Sequence, residues 1–239
     1  MLDPKETRVA IVDYGLGNLF SVKRACERGG MHAVITASPR EILKASAVIL
    51  PGVGAFGDAM ETLEKLDLVS VLRDVAASHK PLIGICLGMQ LLMTGSCEFG
   101  WHRGLGIIEG EVCRLEASPD GRRRLKVPHV GWNRIWATFA PSPPDGGVYR
   151  PVEWKGTLLE GLSGGVFMYF VHSYYPVPVD SSVVLSATQY GRVNFCSTLR
   201  HGNIYAFQFH PERSGPNGLH IYGNLAAFVA RIGAEHQHG

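Results

Sequence analysis

The pattern Gly-Ile-Cys-Leu-Gly at residues 84–88 is typical of a nucleophile held on a sharp turn between a strand and a helix. An apolar run, Leu82 to Ile85, precedes the turn, and a helical run, Met89 to Met93, follows it. The flanking glycines leave room for a strained backbone at Cys86. The helix start offers free N–H groups, which favour a thiolate. The pattern predicts a cysteine nucleophile; the alternative is an ordinary buried cysteine that packs as a small apolar side chain.

A cysteine nucleophile needs a base, and His210 has the most suitable context among ten histidines. It ends an apolar, strand-like run, and Pro211 forces a break there. Glu212 can reach the far ring nitrogen, where it would fix the tautomer and stabilise the imidazolium. The alternatives are an incidental histidine at a strand end and a solvated carboxylate in a turn. Because the three groups are mutually consistent, we interpret them as a Cys-His-Glu triad.

Acyl transfer also needs N–H donors directed at the developing oxyanion. The turn itself supplies the N–H of Leu87. A second donor is expected from the run Pro-Gly-Val-Gly at residues 51–54, whose glycines allow the N–H of Gly52 or Val53 to point into the site. The alternative is a simple turn with flexible glycines.

The elements that must position these residues alternate in the first half of the chain. Such alternation predicts a mostly parallel sheet covered by helices on both faces. Ligand sites of parallel sheets collect at the carboxyl ends of the strands, so the turns at 13–17, 51–54 and 84–88 should share one edge. The predicted strands are Val9–Val12, Ala33–Thr36, Ala47–Leu50 and Leu82–Ile85, and the longest predicted helix before the turn runs from Phe56 through Leu72.

After Gly100 the sequence predicts strands without convincing helices between them, until a last helix near Leu219 to Ile232. Residues 137–160 are rich in proline and glycine and predict a surface insertion. We therefore expect a single α/β domain over residues 8–233, with an antiparallel portion in its second half.

Composition limits the possible classes of protein. The 239 residues are 46% hydrophobic and 18% charged, as in ordinary globular proteins, and the net charge of +2 favours neither nucleic acid nor a membrane surface as a partner. Five cysteines without a C-x-x-C pair predict neither a disulfide framework nor a metal or redox site. The N-terminus lacks a signal pattern, so a reducing cytoplasm is expected.

The quoted motifs also resemble a known family. The runs at 84–90 and 209–212 resemble the class I (triad) glutamine amidotransferases. Narrower features, at 12–19, 50–56, 128–133 and 169–174, resemble the glutaminase subunits of imidazole glycerol phosphate synthase. The likeness extends from about Val9 to the last helix and implies the class I glutamine amidotransferase fold.

The resemblance implies that Cys86, His210 and Glu212 hydrolyse L-glutamine to glutamate and ammonia through a thioester, without a cofactor. For Gln90 and Glu98 the alternatives are a helix-surface residue and a loop carboxylate. The positions that match the family's substrate-binding residues are Gly54, Gln90, Glu98, His172, Ser173 and Tyr174.

The resemblance also implies a partner: a separate (β/α)₈ cyclase subunit that receives the ammonia in a heterodimer. The sequence has no phosphate-binding loop of the G-x-x-x-x-G-K type that could hold the larger substrate itself. Aromatic and fixed polar groups are common in interfaces, although Trp132 could equally be ordinary core. The candidate interface residues are Pro128, His129, Trp132 and Asn133.

Three other functions stay open at this point. Related glutaminase subunits supply ammonia to sugar-modifying enzymes of surface-polysaccharide pathways, with an unchanged triad. A cysteine hydrolase or peptidase could use a similar sheet. A binding module could keep the fold without catalysis, although an intact triad argues against it.

Overall fold

The computed structural model describes residues 8–116, 125–137 and 153–237, with side chains through residue 234. The helices are α1 (Leu19–Arg28), α2 (Pro39–Lys44), α3 (Phe56–Lys65), α4 (Leu68–Ala77), α5 (Leu87–Leu91) and α6 (Gly215–Gln237). The strands are β1 (Arg8–Val12), β2 (His32–Thr36), β3 (Ala47–Gly52), β4 (Leu82–Cys86), β5 (Met93–Ser96), β6 (His102–Arg103), β7 (Ile108–Arg114), β8 (His129–Ala137), β9 (Val166–His172), β10 (Tyr174–Pro178), β11 (Val184–Tyr190), β12 (Val193–His201) and β13 (Ile204–Phe207).

A nine-stranded sheet in the order β2-β1-β3-β4-β13-β12-β11-β8-β9 forms the centre of the fold. The five strands from β2 to β13 run parallel, and the remaining pairs are antiparallel. The predicted architecture, a parallel first half with an antiparallel portion in the second, is confirmed. Because β1, β3, β4 and β13 are parallel, the residues that follow each of them meet at one edge of the sheet.

Both faces of this sheet are covered, and the side chains of β1 show why. Val9 and Ile11 belong to one apolar core, with buried residues of α1 and α6, whereas Ala10 and Val12 belong to the other, with α2, α3 and α4. Side chains alternate across a strand, so the four consecutive apolar residues Val9 to Val12 must be buried on both faces.

A second sheet of four short strands, in the order β10-β7-β5-β6, follows the nucleophile turn. Its strands β5 and β7 run parallel, while β10 and β6 add antiparallel edges. The sequence analysis did not predict β5, β6 or β10, and it extended the helix after the turn to Met93. The helix instead ends at Leu91, and Met93 begins β5.

Two helix predictions differ from the structure in their bounds. The helix predicted from Phe56 through Leu72 is two helices, because Asp67 adopts a left-handed backbone with φ of 55° between α3 and α4. The last helix begins at Gly215 rather than Leu219. Pro216 lies in its first turn, where a proline is tolerated because the N–H it lacks has no helical partner.

The predicted surface insertion at 137–160 is wrong for its final part. Trp154, Leu158 and Leu159 are buried in the core with α6, and the Trp154 Nε1 donates a hydrogen bond of 2.9 Å to the carbonyl of Leu185. A proline-rich run made this whole stretch resemble a surface loop, although its last residues are apolar. Residues 138–152 lie outside the described residues.

Among the described residues, no helix has both the length and the apolar character needed to cross a membrane.

Candidate active site

Cys86 lies on the sharp turn between β4 and α5. Its backbone has φ of 54° and ψ of −109°, a combination that residues other than glycine rarely adopt. A β-carbon on Gly88 would overlap the carbonyl oxygen of Leu50, and one on Gly84 would lie 2.9 Å from the carbonyl oxygen of Gly88. Only glycine therefore fits on either side of the cysteine, because the turn packs backbone directly against backbone.

His210 and Glu212 follow β13, the strand that pairs with β4. The Nδ1 of His210 lies 2.8 Å from Oε1 of Glu212, and the side chains are 4% and 1% exposed. The backbone of His210 is fixed on both sides: its N–H donates to the carbonyl of Tyr169 at 2.9 Å, and its carbonyl accepts from the hydroxyl of Ser214 at 2.6 Å. The imidazole is thus held in one orientation.

Cys86 and His210 interact electrostatically across the junction of β4 and β13. Burial by itself lowers the pKa of His210, but the negative charge of Cys86 and the contacts with Cys86 and Glu212 outweigh it and raise that pKa to about 10. The Nε2 of His210 has no hydrogen bond of ordinary geometry within the described residues. The interaction between the two side chains is therefore mainly electrostatic.

The sulfur of Cys86 has two further polar neighbours. The thiol lies 3.7 Å from the carbonyl oxygen of Val171, as a donor, and 3.7 Å from the Nε2 of Gln208, as an acceptor. The sulfur therefore has two polar neighbours, although Cys86 also belongs to the apolar core that contains Ile85 and Phe209.

The candidate oxyanion donors lie beside the nucleophile. Gly52 pairs with Cys86 in the register of β3 and β4, and Leu87 opens α5, where the first N–H groups have no helical partner. Gly54 has φ of 108°, and the side chain of Val53 is 41% exposed at the surface. The loop that carries these residues thus lies at the same sheet edge as Cys86.

Tyr14, in the turn after β1, contacts the loop at residues 51–54. Its hydroxyl donates a 2.8 Å hydrogen bond to the carbonyl of Pro51, and burial, followed by the charge of Cys86, raises its pKa well above the ordinary value. The hydroxyl occupies the space that a β-carbon on Gly52 would need. The sequence analysis gave Tyr14 no role; its position directly after a parallel strand was the available signal.

A cavity of about 240 Å³ opens beside Cys86. This is smaller than the pockets of about 300–1,000 Å³ that hold drug-sized ligands, so the cavity suits a molecule of amino-acid size. The predicted oxyanion residues Val53 and Leu87 and every predicted substrate-binding residue line it; the full lining is Val53, Gly54, Cys86, Leu87, Gln90, Glu98, Pro128, Val171, His172, Ser173 and Tyr174.

Gln90 is held in one orientation within this cavity. Its Nε2 donates to the carbonyl of Tyr174 at 2.8 Å and to Oε1 of Gln208 at 3.1 Å. Both amide protons are thereby used, which leaves the carbonyl oxygen of Gln90 to meet a ligand.

Glu98 also lines the cavity and is 9% exposed. Its Oε2 accepts a 2.7 Å hydrogen bond from the N–H of Phe56, the first residue of α3. One oxygen thus satisfies a helix N-terminus, and the other can still accept from a ligand.

His172 and His129 form a buried pair behind the cavity. Burial lowers the pKa of His172 to about 3 and that of His129 to about 4, so both rings are neutral near pH 7. Since a carbonyl only accepts, the Nδ1 of His172 donates to Tyr174 at 2.9 Å, and its Nε2 accepts from Nδ1 of His129 at 3.0 Å. His172 therefore holds the backbone of the cavity wall and carries no charge there.

The structure corrects the candidate interface in one residue. Pro128 is exposed, Trp132 is 55% exposed and Asn133 is partly exposed, but His129 is buried and stacks on Phe170 and Tyr190. Alternation along β8 turns His129 inward and Trp132 outward. His129 is thus a core residue and is unsuited to contact a partner, and the interpretation of Trp132 as core is wrong.

Within the described residues, no cluster of three or more His, Cys, Asp or Glu side chains could hold a metal ion.

Comparison with known proteins identifies relatives of this chain. Residues 10–227 match the family described as glutamine amidotransferase class-I. The chain is 46% identical to the imidazole glycerol phosphate synthase subunit HisH of Aquifex aeolicus over 91% of its own length and 95% of that protein's. It is 44% identical to the protein of the same name from Moorella thermoacetica, over 94% and 97% of the two chains.

Solved structures show the same fold at lower sequence identity. A putative GMP synthase protein from Thermoplasma acidophilum superposes with a TM-score of 0.66 at 17% identity, covering 97% of this chain and 98% of that one. A structure described as a glutamine amidotransferase gives a TM-score of 0.62 at 20% identity, covering 92% and 98%. The likeness between these chains is one of architecture.

Proposed function

The chain belongs to the class I glutamine amidotransferase family, and on that premise we propose that it hydrolyses L-glutamine to glutamate and ammonia through a thioester on Cys86. One observation carries the proposal. Cys86 lies on a strained turn at the wall of a cavity of amino-acid size, next to a His210 whose other ring nitrogen is bound to the buried Glu212.

The first half of the reaction uses the Cys86–His210 pair. Because the pKa of His210 is raised to about 10, its ring is protonated at neutral pH and can offset the charge that develops on the attacking sulfur. The sulfur attacks the side-chain amide carbon of glutamine, and the N–H of Leu87 with a donor from the loop at 52–54 meets the oxyanion. His210 then gives its proton to the departing ammonia, and the carbon–nitrogen bond breaks.

The second half reverses these roles. His210, now neutral, takes a proton from water, which attacks the thioester carbon. The carbon–sulfur bond breaks, glutamate leaves, and the thiolate–imidazolium pair is restored. Glu212 keeps the same ring nitrogen protonated throughout and offsets the charge of the imidazolium.

The cavity supplies contacts for the rest of the glutamine. The carbonyl oxygen of Gln90 can accept from a substrate N–H, since its own N–H groups are used within the protein. The buried carboxylate of Glu98 suits the α-amino group. Gly54, Ser173 and Tyr174 complete the wall.

We further propose that the ammonia passes to a separate (β/α)₈ cyclase subunit that makes imidazole glycerol phosphate in histidine biosynthesis, in a cytoplasmic heterodimer. The names of the HisH relatives support this assignment. Strands β8 and β9 pair antiparallel, and their outer face is aromatic and basic: Trp132 meets Tyr169 edge-on at 6.0 Å, and Arg213 lies over the Tyr169 ring at 4.5 Å. Tyr and Trp beside Arg are the residues that interfaces favour.

The decisive experiment separates glutamine chemistry from ammonia use. Cys86→Ala should abolish glutamine-dependent synthesis by the complex assembled with the cyclase, while synthesis from added ammonia persists. Cys113→Ala, which replaces a half-buried thiol of β7, is the matched control and should keep both activities. Survival of glutamine-dependent synthesis in Cys86→Ala would end the proposal.

A pull-down from the native extract tests the choice of partner. We expect a barrel-type cyclase to bind. Recovery of a sugar-amidating enzyme in its place would leave the glutaminase chemistry intact and overturn the assignment to histidine biosynthesis.

A further inference from the structure

Gln208 is a fully buried polar residue, two positions before His210, to which the chemistry above gives no part. Strands β4 and β13 pair in register, with Ile85 opposite Phe207, so the next residues along, Cys86 and Gln208, lie opposite each other. Beyond the strand, Phe209 packs into the apolar core, and His210 interacts with Cys86 as well. The end of one strand thus presents two polar side chains to one sulfur.

The hydrogen bonds around Gln208 fix which way its amide points. The carbonyl of Tyr174 can only accept, so the nitrogen of Gln90 must face it at 2.8 Å. The second N–H of Gln90 then meets the oxygen of Gln208 at 3.1 Å. This leaves the nitrogen of Gln208 facing the Cys86 sulfur at 3.7 Å, as a donor.

The sulfur needs such a donor once it is ionised. As a thiol, Cys86 can donate to the carbonyl of Val171, but a thiolate has no proton to donate there. A buried anion is costly unless hydrogen-bond donors compensate for the water it has lost. The Gln208 amide is a neutral donor at that position, and a hydrogen bond to a charged acceptor is stronger than one to a neutral acceptor.

We infer that Gln208 stabilises the ionised nucleophile through its side-chain N–H. Through its side-chain oxygen, Gln208 also fixes the orientation of Gln90, so that the carbonyl oxygen of Gln90 is directed at the substrate. One side chain thereby couples the reacting sulfur to a substrate-binding residue. The inference rests on the proposed cysteine chemistry, but it does not depend on which enzyme accepts the ammonia.

The test measures alkylation of Cys86 by iodoacetamide in the isolated chain, which needs neither glutamine nor a partner. Gln208→Met keeps the length of the side chain and removes both polar atoms, so alkylation at pH 7 should slow about tenfold. At pH 10, where hydroxide removes the thiol proton without this help, the rate should return close to that of the wild type. Peptide mapping assigns the rate to Cys86 rather than to the other cysteines.

Ser197→Ala is the control for a merely structural effect. Its hydroxyl takes part in a buried hydrogen bond of 2.9 Å with Ser186 on the neighbouring strand. Its backbone carbonyl, which accepts from the N–H of Gln208 at 3.0 Å, is unchanged by the substitution. We expect this variant to lose a similar amount of thermal stability to Gln208→Met but to alkylate at the wild-type rate at both pH values.

Gln208→Glu separates the two parts of the inference. It keeps an oxygen for Gln90 but replaces the donor to sulfur with a negative charge. In the assembled complex it should lower kcat with little change in KM, whereas Gln208→Met should lower kcat and also raise KM for glutamine. Equal alkylation rates for the wild type and both folded variants across the pH range would overturn the inference.

A measurement on the wild-type protein tests the inference even if the variants of Gln208 do not fold. The ¹⁵N side-chain amide resonance of Gln208 should shift over the pH range in which alkylation accelerates, and the shift should vanish in Cys86→Ala. A Gln208 resonance whose chemical shift does not change when Cys86 ionises would equally contradict the inference. Failure of the glutaminase proposal itself would be seen separately, as glutamine-dependent synthesis that survives in Cys86→Ala.

Discussion

The Nδ1 of His210 lies 2.8 Å from the Oε1 of Glu212, and both side chains are almost wholly shielded from water. A carboxylate only accepts, so the hydrogen bond keeps the proton on Nδ1 and leaves Nε2 to exchange protons with Cys86. The orientation of the imidazole is therefore set by a residue only two positions away, in the 3₁₀ turn Pro211–Arg213.

Replacing this carboxylate should damage catalysis more than folding. Glu212→Gln keeps the shape, but its amide N–H can donate a hydrogen bond to Nδ1 and so favour the wrong tautomer; we expect kcat of the glutaminase to fall at least about a hundredfold. Glu61→Gln, which alters an exposed carboxylate paired with Lys65, serves as the control. Steady-state kinetics on the complex decide the matter, and near-normal turnover in Glu212→Gln would contradict the triad.

The raised pKa of His210 predicts how stability depends on pH. The folded state binds the proton up to about pH 10, whereas the ordinary pKa of histidine is 6.5. The stabilisation is therefore fully present below about pH 6.5 and is lost as the pH rises through about 10. Urea denaturation of the wild type should show this loss between pH 7 and pH 10.

Cys86→Ala isolates this contribution from other groups that titrate in the same range. The charge of Cys86 is the largest of the effects that raise the pKa of His210, so without it the loss of stability between pH 7 and pH 10 should be smaller. An identical pH dependence in the two proteins would show that the pair does not interact.

The nucleophile turn should be intolerant of any side chain at Gly88. Gly88→Ala forces its β-carbon against the carbonyl of Leu50, so the backbone must shift; we expect a loss of about 1–3 kcal/mol in the free energy of unfolding. Gly223→Ala is the matched change within α6, where nothing lies within 4 Å, and it should be neutral or stabilising by up to about 1 kcal/mol. Urea denaturation monitored by circular dichroism measures both.

Two tryptophans should respond in opposite ways to truncation. Trp154→Ala removes a ring buried beside α6 and its hydrogen bond to Leu185, and should cost about 3–5 kcal/mol of stability. Trp132→Ala trims an exposed ring and should change stability by no more than about 0.5 kcal/mol. Comparable losses in the two variants would disprove the burial of the segment that carries Trp154.

Trp132→Ala should instead weaken binding of the proposed cyclase partner. An interface tryptophan is often worth about 2 kcal/mol, which corresponds to a roughly thirtyfold rise in Kd. Phe20→Ala removes another exposed aromatic ring, on α1, which packs against β1, β2 and α6, and should bind normally. Isothermal titration with the purified cyclase compares them; unchanged affinity for Trp132→Ala would move the interface elsewhere.

The local pattern of two glycines around a cysteine was sufficient to predict the nucleophile turn. The contact that requires glycine at 84 lies within the turn, whereas the one at 88 is with Leu50 on the neighbouring strand β3. The contribution of Gln208 could not be read in the same way. Its meaning depends on the pairing of β13 with β4, two strands separated by most of the second half of the chain. Its position two residues before His210 was the one local signal.

Predictions from sequence patterns were wrong where an element was too short to show a period, or where tertiary contacts decided the environment of a residue. The four-residue strand β5 follows a five-residue helix, so neither is long enough to show a period. His129 looked suited to an interface because it adjoins Pro128 and Trp132, yet the pleat of β8 turns it into an aromatic cluster. Partner strands, and not the residue's own neighbours in sequence, decided its environment.

The position of β13 in the sheet has a consequence for the order in which the active site forms during synthesis on the ribosome. This strand fits between β4 and β12, although β4 is made more than a hundred residues earlier. Until it inserts, a nascent chain carries a thiol with neither its base nor its amide neighbour, and the edge of β4 stays unpaired. We therefore expect Cys86 to acquire its base and its amide neighbour only after β13 has paired with β4.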